Sequence, residues 1–178
     1  MLALIGLILI MASCGGNQAS RLLGLASAGN LPGIKHKVLE GADPAAVDRE
    51  DRNLMMRAAY NGHLEVVVYM LELGVNPINH QDKNGWSAVL CAASKGHLEV
   101  VKCLLDAGAN PDLFTSKGNT ALMWAAHGGY SEVVDMLLEA GATPGRRNHL
   151  NWTAADIAGR ANFQQLQQKL DASINSPR

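Results

Sequence analysis

"SAVLCAASKGHLEVVKCLLDAGANP" runs from Ser87 to Pro111, and "TALMWAAHGGYSEVVDMLLEAGATP" repeats its layout from Thr120 to Pro144. An earlier copy, "NLMMRAAYNGHLEVVVYMLELGVNP", runs from Asn53 to Pro77. Gly29, Gly62, Gly96 and Gly129 are spaced by 33, 34 and 33 residues, and Gly41, Gly74, Gly108 and Gly141 each follow twelve residues later. Ser20, Asn53, Ser87 and Thr120 stand nine residues before the first glycine set, and Thr153 continues that series. A fixed period of this length marks an array of stacked units.

Each unit reads as two short helices. The opening Ser, Thr or Asn can accept backbone N–H bonds and cap the first helix. Paired alanines (Ala58-Ala59, Ala92-Ala93, Ala125-Ala126) give that helix a thin face, so neighbouring units can approach closely. The next glycine ends it and permits a tight turn. A second helix follows with apolar residues at helical spacing: Val66, Val67, Met70 and Leu71, then Val100, Val101, Leu104 and Leu105, then Val133, Val134, Leu137 and Leu138. One such pair cannot bury its apolar side alone, but a stack can. The loop between Gly74 and Ser87 is one residue longer than its counterparts, and the extra residue is expected within Pro77–Gln81.

Composition narrows the function classes. The chain has 178 residues, enough for one domain, with 15 basic and 16 acidic side chains and a net charge of −1. That balance argues against a dedicated nucleic-acid binder. Aromatics make up only 4%, which suits a core of small aliphatic side chains.

The period near 33 and the segments Ser87-Ala88-Val89-Leu90-Cys91-Ala92 and Thr120-Ala121-Leu122-Met123-Trp124-Ala125 resemble the T-P-L-H-x-A pattern of the ankyrin repeat. "GHLEVV" at Gly62–Val67 and Gly96–Val101 is similar to that family's second turn and helix. The usual Pro is missing from every cap, and the usual His is replaced by Leu23, Met56, Leu90, Met123 and Asp156. The resemblance implies an all-α, ankyrin-repeat solenoid of about five stacked helix-turn-helix units, with atypical caps at both ends. The expected layout is a signal peptide over 1–13, a tether over 14–19, the repeat domain over 20–170 and a disordered tail over 171–178.

The leader carries its own expectation. "MLALIGLILIMA" is apolar over twelve residues, too short to span a bilayer and of the length of a secretory h-region. Met11-Ala12-Ser13-Cys14 resembles the box of bacterial lipoprotein signals, which makes Cys14 the lipidation candidate and Gly15-Gly16 the start of a flexible tether. No Lys or Arg precedes the apolar run, a departure from the usual n-region. The expected location is the periplasm, anchored as a lipoprotein, in the outer membrane rather than the inner; the alternative is a cytoplasmic chain.

No residue set supports catalysis. His63 with Glu65 and His97 with Glu99 lack the second histidine of a metalloprotease helix. The resemblance implies that these histidines bridge units of the stack. Cys91 and Cys103 fall on apolar, interior-facing positions of the family pattern and lack a fourth metal ligand. A disulfide between them is left open. No phosphate loop and no G-x-S-x-G elbow is present. No enzyme activity, cofactor, metal or small-molecule substrate is expected.

What remains is surface. The resemblance implies binding through loop tips and the outer face of the first helices. The loop-tip candidates are Arg49, Glu50 and Arg52, then Lys83, Asn84 and Trp86, then Ser116, Lys117 and Asn119, then His149 and Trp152. The helix-face candidates are Tyr60, Asn61, Ser94, Lys95 and His127. Trp86 and Trp152 stand out, because each precedes a cap residue and Trp is enriched in binding hot spots. Each could instead lie flat over its neighbouring repeat. Trp124, beside an alanine pair, is expected between helices. The expected function is a non-catalytic protein-binding module, a scaffold or accessory protein in an envelope or stress process. The alternative is an immunity protein that neutralises a periplasm-targeted toxic effector such as a lipase.

Overall fold

The computed structural model describes residues 18–75 and 77–175. The signal segment, Cys14 and residues 176–178 lie outside them. The described residues form ten helices and no strand beyond the isolated bridge pairs Val47–Asn53 and Phe114–Thr120. In chain order they are α1 (18–27), α2 (Leu31–Leu39), α3 (Leu54–Asn61), α4 (Leu64–Leu73), α5 (Ala88–Ala93), α6 (Leu98–Asp106), α7 (Ala121–Gly128), α8 (Ser131–Glu139), α9 (Ala154–Arg160) and α10 (Gln164–Asn175). Consecutive pairs make five units. The first helices stack α3 on α5 on α7 on α9, and the second helices stack α4 on α6 on α8.

The caps form as expected in four units. Asn53 Oδ1 accepts from Met56 N at 2.9 Å, Ser87 Oγ from Leu90 N at 3.5 Å and Thr120 Oγ1 from Met123 N at 3.3 Å. Thr153 and Asp156 close a full capping box. This explains the Asp at the third helical position of α9, where α3, α5 and α7 have the buried Met56, Leu90 and Met123. The first unit differs. Residues 18–20 are already helical, so Ser20 is not a cap and the expected tether cannot extend through residue 19. At the other end α10 runs through Asn175, so residues 171–175, expected as tail, continue the helix.

The core is continuous along the stack. Leu54, Met56, Leu90, Met123 and the paired alanines meet Val67, Met70, Val101, Leu104, Val134 and Leu137 of the second helices, all nearly inaccessible. Full burial of such a large aliphatic side chain is worth about 1.5–3 kcal/mol. Leu71, Leu105 and Leu138 are only half-buried and pack against the margin of this core. No described helix is long and apolar enough to cross a membrane.

Rings tie each unit to the one before. A Cβ on Gly29 would lie 2.5 Å from the His63 ring, on Gly62 2.7 Å from His97, on Gly96 2.6 Å from Tyr130 and on Gly129 2.5 Å from Phe163. Those four glycines also have φ between 68° and 77°. His63 Nε2 donates to Ser27 O at 2.9 Å and His97 Nε2 to Tyr60 O at 3.1 Å, so both histidines do bridge units.

The long loop corrects one expectation. After α2, α6 and α8 the chain closes with paired amide bonds, for example Gly108 N to Leu105 O at 2.9 Å and Ala109 N to Leu104 O at 2.9 Å. The following Ala42, Ala109 and Ala142 are buried. α4 runs one residue further, Gly74 N bonds to Leu71 O at 3.1 Å, and Val75 is 39% exposed. From Pro77 onward the hairpin register matches the other units. The extra residue therefore falls between Gly74 and Pro77, before the expected Pro77–Gln81.

Candidate functional site: the face of hairpins and first helices

Between units the chain makes a short hairpin, and one side chain organises each. Asp48 Oδ1 accepts from Glu50 N and Arg52 N at 2.8 and 3.0 Å, and Asp82 Oδ1 accepts from Asn84 N and Trp86 N at 2.8 and 2.9 Å. Asn148 does the same for Leu150 N and Trp152 N, both at 3.0 Å. Thr115 Oγ1 accepts from Asn119 N at 3.3 Å. The hairpins then join edge to edge: Lys83 N to Glu50 O at 3.1 Å, Ser116 N to Asn84 O at 2.8 Å and His149 N to Lys117 O at 3.1 Å. This ribbon sets the tips at regular intervals beside the first helices.

All eleven loop-tip candidates lie on these hairpins. Arg49, Glu50, Lys83, Asn84, Ser116, Lys117 and His149 are exposed. Lys83 Nζ reaches Arg49 O at 2.6 Å. Arg52 is half-buried and paired with Asp48, Nε to Oδ2 at 2.9 Å, so its charge is committed within the stack. Asn119 Oδ1 accepts from Asn148 Nδ2 at 2.7 Å. Of the helix-face candidates, Tyr60, Asn61, Lys95 and His127 are exposed, with Lys95 Nζ 4.6 Å over the Tyr60 ring. Half-buried Ser94 returns its hydroxyl to Cys91 O at 2.8 Å.

Asp48 receives more than its neighbours. Burial pushes its carboxyl up, but the Arg52 amide, the Arg57 guanidinium at 2.6 Å, the Glu50 amide and the Arg52 side chain outweigh that and hold it at about 2.

The tryptophans form one feature. Trp86 and Trp124 stack with centroids 5.1 Å apart at 30°, and His127 meets Trp124 edge-on at 6.2 Å. Trp124 therefore does not lie between helices. It is half-buried on the hairpin side, on the stripe of α7 that carries His127. Its indole N–H is buried with no hydrogen-bond partner among the described residues. Trp152 carries the Arg160 guanidinium 4.1 Å over its ring. Met123, Trp124, His127, Leu150, Trp152 and Ile157 line a cleft of about 250 Å³. Sequence reasoning missed Trp124, Leu150, Ile157 and Arg160. The signal was there: Trp124 is three residues before His127, and positions three or four apart share a helix face.

The cysteines offer no chemistry to this face. Cys91 is buried, and burial pushes its thiol up to about 12. Cys103 is half-buried on α6 rather than interior, with its pKa also raised by burial. The two are free thiols and not a disulfide. Among the described residues no cluster of three His, Cys, Asp or Glu could hold a metal ion.

Residues 22–115 and 55–148 match the family description "Ankyrin repeats (3 copies)". The chain belongs to the ankyrin-repeat family. Ankyrin repeats are protein-interaction modules, and the hairpin ribbon and paired helices above are this chain's version of one. A stretch of 64 residues is 38% identical to the 26S proteasome non-ATPase regulatory subunit 10 of Mus musculus and covers 35% of this chain and 27% of that protein. The Homo sapiens subunit is 39% identical over 64 residues, which is 35% of this chain and 28% of that protein. This ankyrin-repeat chain thus aligns with little more than a quarter of these relatives.

Proposed function

We propose that the stack is a non-catalytic adaptor. It holds another protein on the face of hairpins and first helices and serves as a scaffold or accessory protein in a bacterial envelope or stress process. The observation that carries this is the Trp86–Trp124–Trp152 row. Three large aromatic side chains stay half-exposed in a chain where aromatics make up 4%, and one of them leaves its N–H unpaired. A buried unsatisfied donor costs about 1–3 kcal/mol. The Trp86–Trp124 ring contact offsets part of that cost, and hot spots in interfaces are rich in Trp.

The Met11-Ala12-Ser13-Cys14 box supports secretion and lipidation at Cys14, followed by a short leash to the stack. Labelled palmitate incorporated by the wild type and not by Cys14→Ala supports the anchor; equal labelling refutes it. The relatives' name, a regulatory subunit of a larger particle, is compatible with an accessory role.

The test of the adaptor reading is photo-crosslinking in cells. A photoreactive residue is placed at His127 on the inner face or at Glu99 on the outer helix α6. One discrete protein adduct from position 127, with none from 99, supports the reading. Adducts from 99 alone, or equal adducts from both, overturn it. If the captured protein is a toxic effector made by a neighbouring cell, the accessory role is replaced by an immunity role.

A further inference from the structure

The near-zero net charge conceals a segregation. The three middle second helices are acidic: Glu65, Glu72, Glu99, Asp106, Glu132 and Glu139 project from α4, α6 and α8 against a single cation of their own, Lys102, while Asp135 of α8 pairs with Lys169 of α10 and α2 carries Lys35 and Lys37. The opposite face is basic from unit three onward. Lys83, Lys95, Lys117, Arg147 and Arg160 lie on hairpins or first helices there. The carboxylates on those elements are Asp82 and Asp156, and Asp112 at the base of the Thr115 hairpin accepts from Thr143 N and Oγ1. Asp82 is buried and holds the Asn84 and Trp86 amides. Asp156 accepts both the amide and the hydroxyl of Thr153, at 2.8 Å each. Its approach to Arg147, at 3.9 Å, is the one ion pair on this part of the face among the described residues. Lys95 and Arg160 rest on aromatic rings instead of carboxylates.

Charge and shape coincide. The cleft of about 250 Å³ between Trp124 and Trp152, built from the same hairpins and first helices, has room for one large apolar side chain, and Arg160 lies over the Trp152 ring that lines it. Leu150, 64% exposed, stands at its lip. A binding face of this kind combines a desolvated aromatic anchor point with a charged rim that steers and selects.

We propose that the face from Trp86 to Arg160 receives an acidic segment of a protein partner, which seats one apolar side chain between Trp124 and Trp152. This rests on the adaptor reading and names the chemistry of its partner. Glutamates along the segment meet Lys83, Lys95 and Lys117, and the apolar residue displaces water from the cleft.

The experiment uses the full-length chain and four fluorescent probes. They are an oligo-glutamate peptide with one central leucine, the same peptide with alanine there, an oligo-lysine peptide with the leucine, and a single-stranded oligonucleotide. The leucine-bearing glutamate peptide should bind at least about tenfold tighter than each of the others, and its affinity should fall with added salt. Trp152→Ala should remove the leucine preference, and Lys95→Glu with Lys117→Glu should weaken binding about tenfold or more. Thermal melting of each variant checks that the stack is intact. The proposal is overturned by equal or tighter binding of the lysine peptide or the oligonucleotide, by no binding of any probe, or by self-association that the acidic outer helices of a second copy satisfy. Crosslinks confined to the outer helices defeat the adaptor reading itself; a basic segment captured at position 127 defeats only the present proposal.

Discussion

Tyr130 lies across Gly96 of the preceding unit, so close that a Cβ there would meet its Cδ1 at 2.6 Å. On its other side a Cβ on Gly128 would meet the same ring at 2.3 Å, which explains a glycine inside helix α7. Asn162 holds the corresponding position in the last unit, with φ 66°. No ring of a following unit covers it among the described residues, so there only the left-handed backbone matters. Gly96→Ala should therefore cost at least about 2 kcal/mol, from backbone strain plus overpacking. Asn162→Gly should be neutral or slightly stabilising. Urea unfolding of the two variants checks both.

His97 combines a ring contact with a hydrogen bond, whereas Phe163 offers the ring alone. His97→Phe should lose only the bond to Tyr60 O, a net cost of about 0.5–1.5 kcal/mol. His97→Ala should cost more, because Gly62 then loses its cover. Equal losses in chemical denaturation would show that the ring contributes nothing.

Acid should weaken the stack through Asp48. A carboxyl held at about 2 in the fold, against an ordinary value near 3.8, contributes stability that is complete above about pH 4 and is lost as pH falls toward 2. With solvent screening allowed for, the loss is about 1–2 kcal/mol. Asp156, lowered by the Thr153 amide and hydroxyl, acts in the same direction. In Asp48→Asn the slope between pH 4 and pH 2 should flatten. Asn148 already plays the same amide-accepting part in the last hairpin, so the variant should still fold. Melting temperature against pH reads this out.

The Trp86–Trp124 pair should give an exciton couplet in circular dichroism that either Trp→Phe change abolishes. Trp86→Ala should destabilise by about 0.5–1.5 kcal/mol beyond lost burial, the worth of an aromatic pair. Trp152→Ala removes only a ring under Arg160 at the rim and should melt close to wild type. A large fall in its melting temperature would mean that Trp152 serves packing.

Much of this architecture was legible because its determinants are local. A cap such as Thr120, a left-handed glycine such as Gly108 and an alanine pair act within one unit and recur. Ser20 misled because capping depends on what precedes the residue, and in the first unit the chain is already helical. Trp124 misled because its sequence neighbours Ala125 and Ala126 are buried, whereas a helix turns about 100° per residue and sends the adjacent side chain elsewhere. The hairpin ribbon was invisible because Asp48, Asp82, Thr115 and Asn148 share a hydrogen-bonding role and not an identity. The charge segregation needed the stack itself, since acidic and basic residues alternate along the chain and separate only when the units align.

The residue inserted after Gly74 has a practical consequence. The chain already carries one extra residue there, Val75 is turned outward, and the next hairpin keeps its pairing with Glu50 through Lys83 N. This junction is a natural splice point. A short epitope or a dye-accepting sequence inserted between Val75 and Pro77 would label the molecule away from Trp124 and Trp152. Occupancy of the binding face could then be followed without altering a residue that lines it.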